Sequence, residues 1–233
     1  MCASWLFGSG AFTVALIVEA RAKINLVLRV GAKRPDGYHE IESLMHSIDL
    51  ADELVLEPAA TLVVECGHPG VPEGEGNLVY RAAQHLRNLG LASVESCGAR
   101  IRLRKDIPVA AGLGGGSSDA AAVLLGLNEL WGCGLDRERL AALAAELGAD
   151  VPFCVYGGAA RVTGIGERVE PLRPLAGVPI VLVPGTQGLA SRDVYRAFDA
   201  AGGATQAQLE PALRALVTGD VPALAQALAN DLE

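Results

Sequence analysis

The chain has 233 residues, 51% of them hydrophobic, and carries a formal net charge of −8. This length and composition suffice for a buried core in one large domain or two small ones. The acidic balance provides no long-range attraction for polyanions, which disfavours a nucleic-acid or anionic-membrane partner. Any phosphate site must therefore be built locally.

The cysteines and the N-terminus indicate a cytoplasmic protein. The five scattered cysteines lack the close pairs that mark zinc or redox sites, so reduced thiols are expected. Residues 5–18 are apolar, but no basic residue precedes them and Glu19 follows directly, unlike in a signal peptide. No later apolar run reaches the roughly 20 residues of a membrane helix. We interpret residues 1–12 as an extension without structure.

The first part of the chain predicts mainly strands. β-Branched and aliphatic residues form runs at 14–18 and 23–30, and a Pro-Asp-Gly turn follows at 35–37. The spacing at 41–48 fits either a helix or a strand, and we favour a strand. Two more short strands are predicted, at 52–57 and 61–65.

Helical periodicity begins after this region. Leucines and alanines from Leu78 to Leu89 share one face of a helix that Asn77 would cap and Gly90 would end. At 99–105, apolar residues alternate with arginines, which predicts a strand with one buried face. Two more helices are predicted, at 120–131 and 136–147.

The C-terminal part mixes both kinds of element. A strand is predicted at Val178–Val183, and Ser191 would cap a helix that contains Val194, Tyr195 and Phe198. Two helices rich in alanine and leucine complete the chain. Because strands and helices alternate irregularly and without an internal repeat, the sequence indicates an α+β fold.

A glycine-rich loop, PVAAGLGGGSSD at 108–119, stands between a predicted strand and a predicted helix. Glycines let the backbone approach a ligand closely, and the free amides and dipole of a helix N-terminus attract phosphate. Ser117 and Ser118 can add hydroxyl donors or help to position a metal ion. Neither GxxxxGK[ST] nor GxGxxG is present. A tightly packed glycine turn is the alternative, but four glycines and two serines at a helix start favour phosphate binding.

At this loop the sequence resembles the GHMP kinases, whose nucleotide loop has the form Pro-x-x-x-Gly-Leu-Gly followed by small residues. Three further motifs resemble one branch of that family, at Ala22–Leu26, Asp36–His39 and Gly148–Pro152. The motifs occur in the family's order over residues 20–232. They are specific together, although none is specific alone.

The resemblance implies transfer of the γ-phosphoryl group of ATP, with Mg²⁺, to the 2-hydroxyl of a cytidine-diphosphate-linked methylerythritol in the non-mevalonate isoprenoid pathway. The implied fold is a two-lobed GHMP kinase fold. Its N-terminal ATP-binding lobe, like domain 2 of ribosomal protein S5, would occupy residues 13–170, and an incomplete C-terminal α+β lobe would occupy 171–233. The implied protein is a cytoplasmic monomer or homodimer.

The resemblance also implies roles for residues at the matching positions. Asp150 matches the catalytic aspartate and Lys23 its partner lysine. Asn77 and Lys105 border the nucleotide, which is otherwise bound by Pro108, Gly112, Leu113, Gly114, Gly115, Gly116, Ser117 and Ser118. The substrate is bound by Asn25, Tyr38, His39 and Tyr195. No residue is assigned to a metal.

The chemistry of the reaction suits the two catalytic residues. A tertiary alcohol is a poor nucleophile at neutral pH, so a carboxylate such as that of Asp150 is needed to accept its proton. An ammonium beside it, from Lys23, would keep the carboxylate ionised and stabilise negative charge on the reacting oxygens.

Each assignment has a structural alternative. Asp150 could merely cap the next helix, and Lys23 could be an ordinary lysine on an edge strand. Tyr38 and His39 could flank a hairpin turn instead of contacting a cytosine ring. Tyr195 could pack in the core with its apolar neighbours.

The sequence departs from the family pattern in two places. It stops at Glu233, before a glycine-rich segment that the family carries near the phosphates, and we expect this to leave apolar surface uncovered. Asp119 occupies a position where relatives often carry asparagine. Its carboxylate could repel a triphosphate or assist Mg²⁺.

Three other functions compete with this interpretation. A homoserine or mevalonate kinase of the same superfamily is disfavoured by the motif at Asp36–His39. A truncated ATP-binding domain without catalysis is favoured by the early end of the chain. An NAD-binding oxidoreductase is weakened by the missing third glycine and the lack of an opening βαβ unit.

Overall fold

The computed structural model describes residues 3–7, 14–92, 97–183, 185, 188–203 and 205–233. Its strands are β1 (Ala3–Phe7), β2 (Val14–Lys33), β3 (His39–Ala59), β4 (Leu62–Cys66), β5 (Gly98–Arg104), β6 (Ala159–Gly164), β7 (Arg168–Leu172) and β8 (Ala229–Asn230). Its helices are α1 (Leu78–Asn88), α2 (Gly115–Leu130), α3 (Arg137–Ala145), α4 (Val151–Tyr156), α5 (Ser191–Ala200), α6 (Leu209–Thr218) and α7 (Val221–Gln226).

The chain divides into two compact units whose segments interleave. The first unit comprises residues 1–22, 48–109 and 114–156, and the second comprises 23–47, 110–113 and 157–233. The segments interleave because the long strands β2 and β3 each have residues in both units. The predicted lobes at 13–170 and 171–233 stay a prediction.

The first unit is a sheet covered by helices. Its strands follow the order β1, β2, β3, β5, β4, with β3 antiparallel and β4 parallel to β5. Gly126 of α2 faces this sheet, where a Cβ atom would lie 2.2 Å from Leu56 Cδ1 and 3.1 Å from Val18 Cγ2. A larger residue would force the buried side chain of Leu56 to move, and such interiors are packed as densely as crystals. The sheet therefore fixes the helix that begins at the glycine loop.

The second unit packs its terminal helices on strands. In it β3 pairs with β6, with His46 opposite Ala159, and β8 lies parallel to β2, with Val27 opposite Ala229. Its core joins apolar residues of the strands to those of α6 and α7, namely Val27, Leu44, Ala159, Leu209, Ala212, Ala215, Leu216 and Leu224. These helices are amphipathic, and their apolar faces are buried.

Most elements of the first 160 residues occur where they were predicted. The helices at α1, α2 and α3 are confirmed, and Asn77 caps α1 by accepting a hydrogen bond from the Val79 amide at 2.9 Å. The strand favoured at 41–48 is confirmed as part of β3. The runs at 14–18 and 23–30, predicted as two strands, form the single strand β2.

Three predictions are wrong. Residues 3–7 form β1, which pairs with the start of β2, although we expected no structure there; the rest of residues 1–12 lies outside the described part. Residues 178–183 are not in a strand, because no strand in the described part pairs with them, and Val181 and Val183 are 86% and 87% exposed. Ser191 does not cap α5, because Ala190 holds that position.

No helix in the described ranges combines the length and apolar character needed to cross a membrane.

The carboxylate of Asp231 ties the end of the chain to the second unit. It accepts hydrogen bonds from the amides of Val30 at 2.8 Å, Gln206 at 2.8 Å and Ala207 at 2.9 Å, and from the Thr205 hydroxyl. Burial alone would raise the pKa of Asp231, but these four donors together lower it. The ionised carboxylate is therefore stabilised in the folded state.

We expect Asp231→Ala to lower the free energy of unfolding by about 2 kcal/mol at pH 7, because several donors lose a charged acceptor. Since the folded pKa is lowered, this contribution is complete above the ordinary pKa of 3.8 and is lost as the pH falls through the lower folded value. Urea unfolding at pH 7 and pH 3 measures the difference. Asp193→Ala, at an exposed ion pair 3.6 Å long, is the control and should cost less than about 0.5 kcal/mol.

Candidate active site

The glycine loop adopts a backbone suited to holding an anion. Gly112 and Gly114 have φ values of 73° and 68°, and Gly114 is the N-cap of α2. Ala110 also has a positive φ, 58°, which is unfavourable for a residue with a side chain. Such backbone strain concentrates at ligand sites, where the surrounding structure maintains it.

The start of α2 presents free amides. The Ser118 amide makes the first intrahelical bond, to the Gly114 carbonyl at 2.8 Å. The amides of Gly115, Gly116 and Ser117 come before it and so have no acceptor within the helix. The first turn carries no acidic side chain. The positive end of the helix dipole is therefore available to a phosphate group.

The serines of the loop are not equivalent. Ser118 is only 1% exposed, and its hydroxyl donates to the carbonyl oxygen of Arg21 at 2.6 Å. The prediction that it donates to phosphate is therefore corrected: its proton is already used to anchor the helix start to β2. Ser117 is half-buried and remains the hydroxyl predicted for the ligand.

The middle of the loop belongs to the second unit, where main-chain hydrogen bonds hold it. The Lys23 amide donates to the Leu113 carbonyl at 2.9 Å, and the Leu189 amide donates to the Ala110 carbonyl at 3.2 Å. Pro108 is exposed just before this stretch. The lysine predicted to be catalytic is thus a backbone neighbour of the predicted nucleotide loop.

A buried charged cluster, Asp52–Lys105–Asp119, lies in the first unit beside the two ends of the loop. The Lys105 ammonium is ion-paired with Asp52 and, at 2.6 Å, with Asp119. The three side chains are at most 4% exposed. The two carboxylates hold the Lys105 ammonium, and the prediction that Lys105 borders the nucleotide stays a prediction.

The cluster perturbs the titration of its members. Burial, assisted by the neighbouring Asp52 carboxylate and opposed by Lys105, raises the pKa of Asp119 to about 7. Asp119 Oδ1 is buried and has no hydrogen-bond partner within the described residues. Burial would lower the pKa of Lys105, but Asp119 and Asp52 together raise it. Lys105 is therefore charged, whereas Asp119 changes its protonation near neutral pH.

Asp150 and Lys23 fall in different units, so their pairing stays a prediction. Asp150 immediately precedes α4, and its carbonyl accepts the Cys154 amide at 3.2 Å, which places it at the helix start. It is half-buried. Lys23 is 6% exposed on β2, so it is not the ordinary surface lysine of the alternative interpretation. Asn77, buried at the start of α1, has the capping role described above, and its nucleotide contact stays a prediction.

In the second unit the structure brings together two residues predicted to bind the substrate. The rings of His39 and Tyr195 are stacked with centroids 5.3 Å apart, and Phe198 meets His39 edge-on at 6.1 Å. His39 Nε2 lies 2.8 Å from Asp199 Oδ1. The ion-paired ammonium of Lys33, followed by His39, lowers the pKa of Asp199. His39 is thus held from two sides by its own unit.

The other two residues predicted to bind the substrate, Tyr38 and Asn25, have different surroundings. Tyr38 is 59% exposed beyond the turn, where its carbonyl accepts the Arg34 amide at 2.7 Å. Asn25 Oδ1 lies 3.3 Å from the Ser43 hydroxyl, which has a closer acceptor in the Val27 carbonyl at 2.7 Å. The exposed Tyr38 ring is therefore available to a ligand, while the buried His39 ring already has an aromatic neighbour.

The described residues contain no group of three or more histidine, cysteine or acidic side chains that could hold a metal ion. The four cysteines in the described part, Cys66, Cys97, Cys133 and Cys154, form no disulfide bond.

Comparison with known proteins identifies the family. The family model "GHMP kinases N terminal domain" matches residues 77–158. The chain is 48% identical over 216 residues to 4-diphosphocytidyl-2-C-methyl-D-erythritol kinase of Pelotomaculum thermopropionicum, covering 92% of this chain and 74% of that one. It is 50% identical over 220 residues to the enzyme of that name from Symbiobacterium thermophilum, covering 93% and 76%. The chain belongs to this family of GHMP kinases.

Comparison with solved structures supports the same family. A crystal structure of 4-(cytidine 5'-diphospho)-2C-methyl-D-erythritol kinase matches this kinase with a TM-score of 0.70 and 41% identity, over 93% of this chain and 75% of that one. Homoserine kinase from Cytophaga hutchinsonii matches with a TM-score of 0.64 and 18% identity, over 97% and 74%, which shows the fold alone. The predicted α+β GHMP kinase fold is confirmed. The kinase spans about three quarters of the length of these relatives.

Two residues near the predicted site of this kinase were not predicted from its sequence. Asp52 pairs with Lys105, and Asp199 pairs with His39. A signal existed for Asp52, because it stands on the inward face of β3 with Leu54 and Leu56. An acidic residue in that position needs a buried partner. No comparable pattern marks Asp199, which lies on a partly exposed helix.

Proposed function

We propose that this kinase transfers the γ-phosphoryl group of ATP to the 2-hydroxyl of 4-diphosphocytidyl-2-C-methyl-D-erythritol, in the non-mevalonate isoprenoid pathway. The observation that carries the proposal is the 48–50% identity to kinases of that name over more than nine tenths of this chain. The reaction is a phosphotransfer to an alcohol. A cytoplasmic location, and a monomer or homodimer as the active form, belong to the same proposal.

The phosphates of ATP would be held by the start of α2. The amides of Gly115, Gly116 and Ser117 and the Ser117 hydroxyl are the donors, and they are supported by the uncancelled helix dipole. A Cβ on Gly115 would lie 3.1 Å from Ile107 Cγ2, so a side chain at this position would press against the residue that leads into the loop. This cradle fits a triphosphate.

Mg²⁺ would bind mainly to the triphosphate and not to a set of protein ligands. The described residues offer no cluster of three metal ligands, and Mg²⁺ commonly keeps several waters and binds substrate phosphates with one or two protein groups. Ser117 is the hydroxyl in the cradle that could complete its shell. When bound, the ion would neutralise negative charge on the phosphates.

Asp150 would act as the general base. Its carboxylate would accept the proton of the tertiary hydroxyl as the oxygen attacks phosphorus. Lys23 would neutralise charge on the transferred group, and its burial would strengthen that effect. Most of the rate enhancement would come from positioning and charge neutralisation, as is general for phosphoryl transfer.

The cytidine end of the substrate would be recognised by the second unit. Tyr38 offers an exposed ring for stacking on a base. The Tyr195–His39 stack, held by Asp199, would present the imidazole in a fixed orientation for hydrogen bonding. Asn25, on β2, would contribute an amide to the polar part of the substrate.

A panel of acceptors tests the proposal. The 233-residue kinase is mixed with ATP and Mg²⁺, and ADP release is followed with the cytidine-linked methylerythritol, homoserine or mevalonate as the acceptor. Release only with the first acceptor, with a new phosphate ester at its 2-hydroxyl by ³¹P NMR, is the expected result. Faster turnover of another acceptor, or ATP binding without transfer to any alcohol, would overturn the proposal.

A further inference from the structure

The Asp52–Lys105–Asp119 cluster connects the chain just before the glycine loop with the helix just after it. We propose that Asp119 and Lys105 are positioning residues, whose buried side-chain hydrogen bond fixes the spacing of the two ends of the loop and thereby sets its affinity for nucleotide. The inference rests on the proposed binding of ATP at this loop. It assigns to both side chains a role exerted through the backbone, without contact with the ligand.

The first half of the connection is made by the sheet. β3 and β5 are antiparallel, with Glu53 opposite Arg104, and continuing this register places Asp52 opposite Lys105. Asp52 Oδ1 accepts the amides of Asp106 at 2.6 Å and Ile107 at 2.8 Å. One buried carboxylate therefore determines the direction in which the chain leaves β5 for the loop.

The second half of the connection is made by Lys105. Its ammonium donates to Asp52 and also to Asp119 Oδ2, at 2.6 Å, in the second turn of α2. It lies 3.2 Å from the position that a Cβ atom of Gly115 would occupy. The charge thus lies under the first residue of the helix whose amides face the ligand.

The burial of the three side chains indicates that they affect ligand binding through the loop and not by direct contact. The side chains of Lys105 and Asp119 are each 4% exposed, and that of Asp52 is fully buried. A ligand therefore reaches the amides of the loop more readily than it reaches the cluster. Ser118, beside Asp119, is anchored to β2 by its own hydrogen bond, so Asp119 adds the link toward β5 that Ser118 does not provide. Such buried, charge-assisted hydrogen bonds are strong enough to hold a geometry.

Two substitutions at Asp119 test the proposal in the full chain. Asp119→Ala removes the link while leaving Lys105 paired with Asp52, so the fold should survive. We expect the Kd for ADP, measured by calorimetry, and the KM for ATP to rise about tenfold, with kcat within about threefold of the wild type. Hydrogen exchange at the loop amides should become faster. Asp119→Asn keeps an acceptor for Lys105 and should restore ADP affinity to within about threefold.

The control is Arg102→Ala, which breaks the exposed Arg102–Glu57 pair, 3.0 Å long, between the same two strands. It should leave ADP binding unchanged. A merely structural role would lower the stability of Asp119→Ala but leave its Kd for ADP at the wild-type value, and that result would overturn the proposal. So would an equal loss in Asp119→Ala and Asp119→Asn, which would indicate a need for charge at this residue.

The binding readout separates this inference from the proposed acceptor. If the wild type binds ADP with the expected dependence on Asp119 but phosphorylates none of the three alcohols, the positioning role stands and the proposed function fails. If the wild type binds neither ADP nor ATP, the positioning role fails as well.

Discussion

Replacing Asp150 by asparagine is expected to lower kcat about a thousandfold, within the range that a general base contributes. Asparagine has the same shape but cannot accept the proton of the attacking hydroxyl. The KM for ATP should change little, because the nucleotide is bound by the loop and not by this carboxylate. The assay of ADP release with the cytidine-linked acceptor measures both constants.

The competing role of Asp150 is a helix cap, and this substitution separates the two roles. Asparagine caps helices about as well as aspartate, so a capping residue would tolerate it. Asp136→Asn is the matched control: Asp136 caps α3 by accepting the Arg139 amide at 2.9 Å, and its replacement should leave kcat unchanged. Near-normal turnover of Asp150→Asn would remove this residue from the catalytic machinery.

A second substitution shows whether Asp150 and Lys23 work together. Lys23→Ala should also lower kcat strongly while leaving the fold intact. Residues that act as one unit have non-additive effects, so the double variant should be hardly slower than the worse single one. Fully multiplicative losses would mean that the two residues act independently. The kinetic coupling thus tests whether the two residues act in the same step.

Local sequence patterns were enough to predict the helices and strands that bury one regularly spaced apolar face. The α1 helix carries its cap and stop signals beside an apolar stripe, and β5 alternates strictly between apolar residues and arginines. Val178–Val183 has the same local β character and yet is not in a strand. A strand requires a hydrogen-bonding neighbour, and no pattern within six residues reports whether one exists.

Those parts of the candidate site that are formed by residues close together in the sequence could be predicted. The glycine loop and the start of α2 follow each other directly, so their function as an anion cradle could be inferred from the order of residues. Ser118 was misjudged, because its partner, the Arg21 carbonyl, is 97 residues away. The ion pair of Lys105 was missed because the sequence does not show that Asp52, 53 residues earlier, lies opposite it. Pairings at such separations follow from strand register.

Replacing Lys105 by methionine is expected to lower the free energy of unfolding by about 3–5 kcal/mol at pH 8, the typical cost of leaving a buried charge unpaired. The variant would leave the carboxylates of Asp52 and Asp119 facing each other without a cation. Urea unfolding measures the loss. Arg102→Met, at the exposed pair on the same strand, should cost at most about 1 kcal/mol.

The pH dependence identifies the cause of that loss. The folded pKa of Asp119, about 7, is above its ordinary 3.8, so the folded state retains a proton that the unfolded state has released. This carboxyl therefore favours folding less as the pH rises from about 4 to about 7, and removing Lys105 raises its pKa further. The loss in Lys105→Met should then be smaller at pH 5 than at pH 8, and Asp119→Asn should partly restore the stability of Lys105→Met at pH 8. A loss independent of pH and unaffected by Asp119→Asn would mean that Lys105 stabilises the fold through the packing of its aliphatic chain.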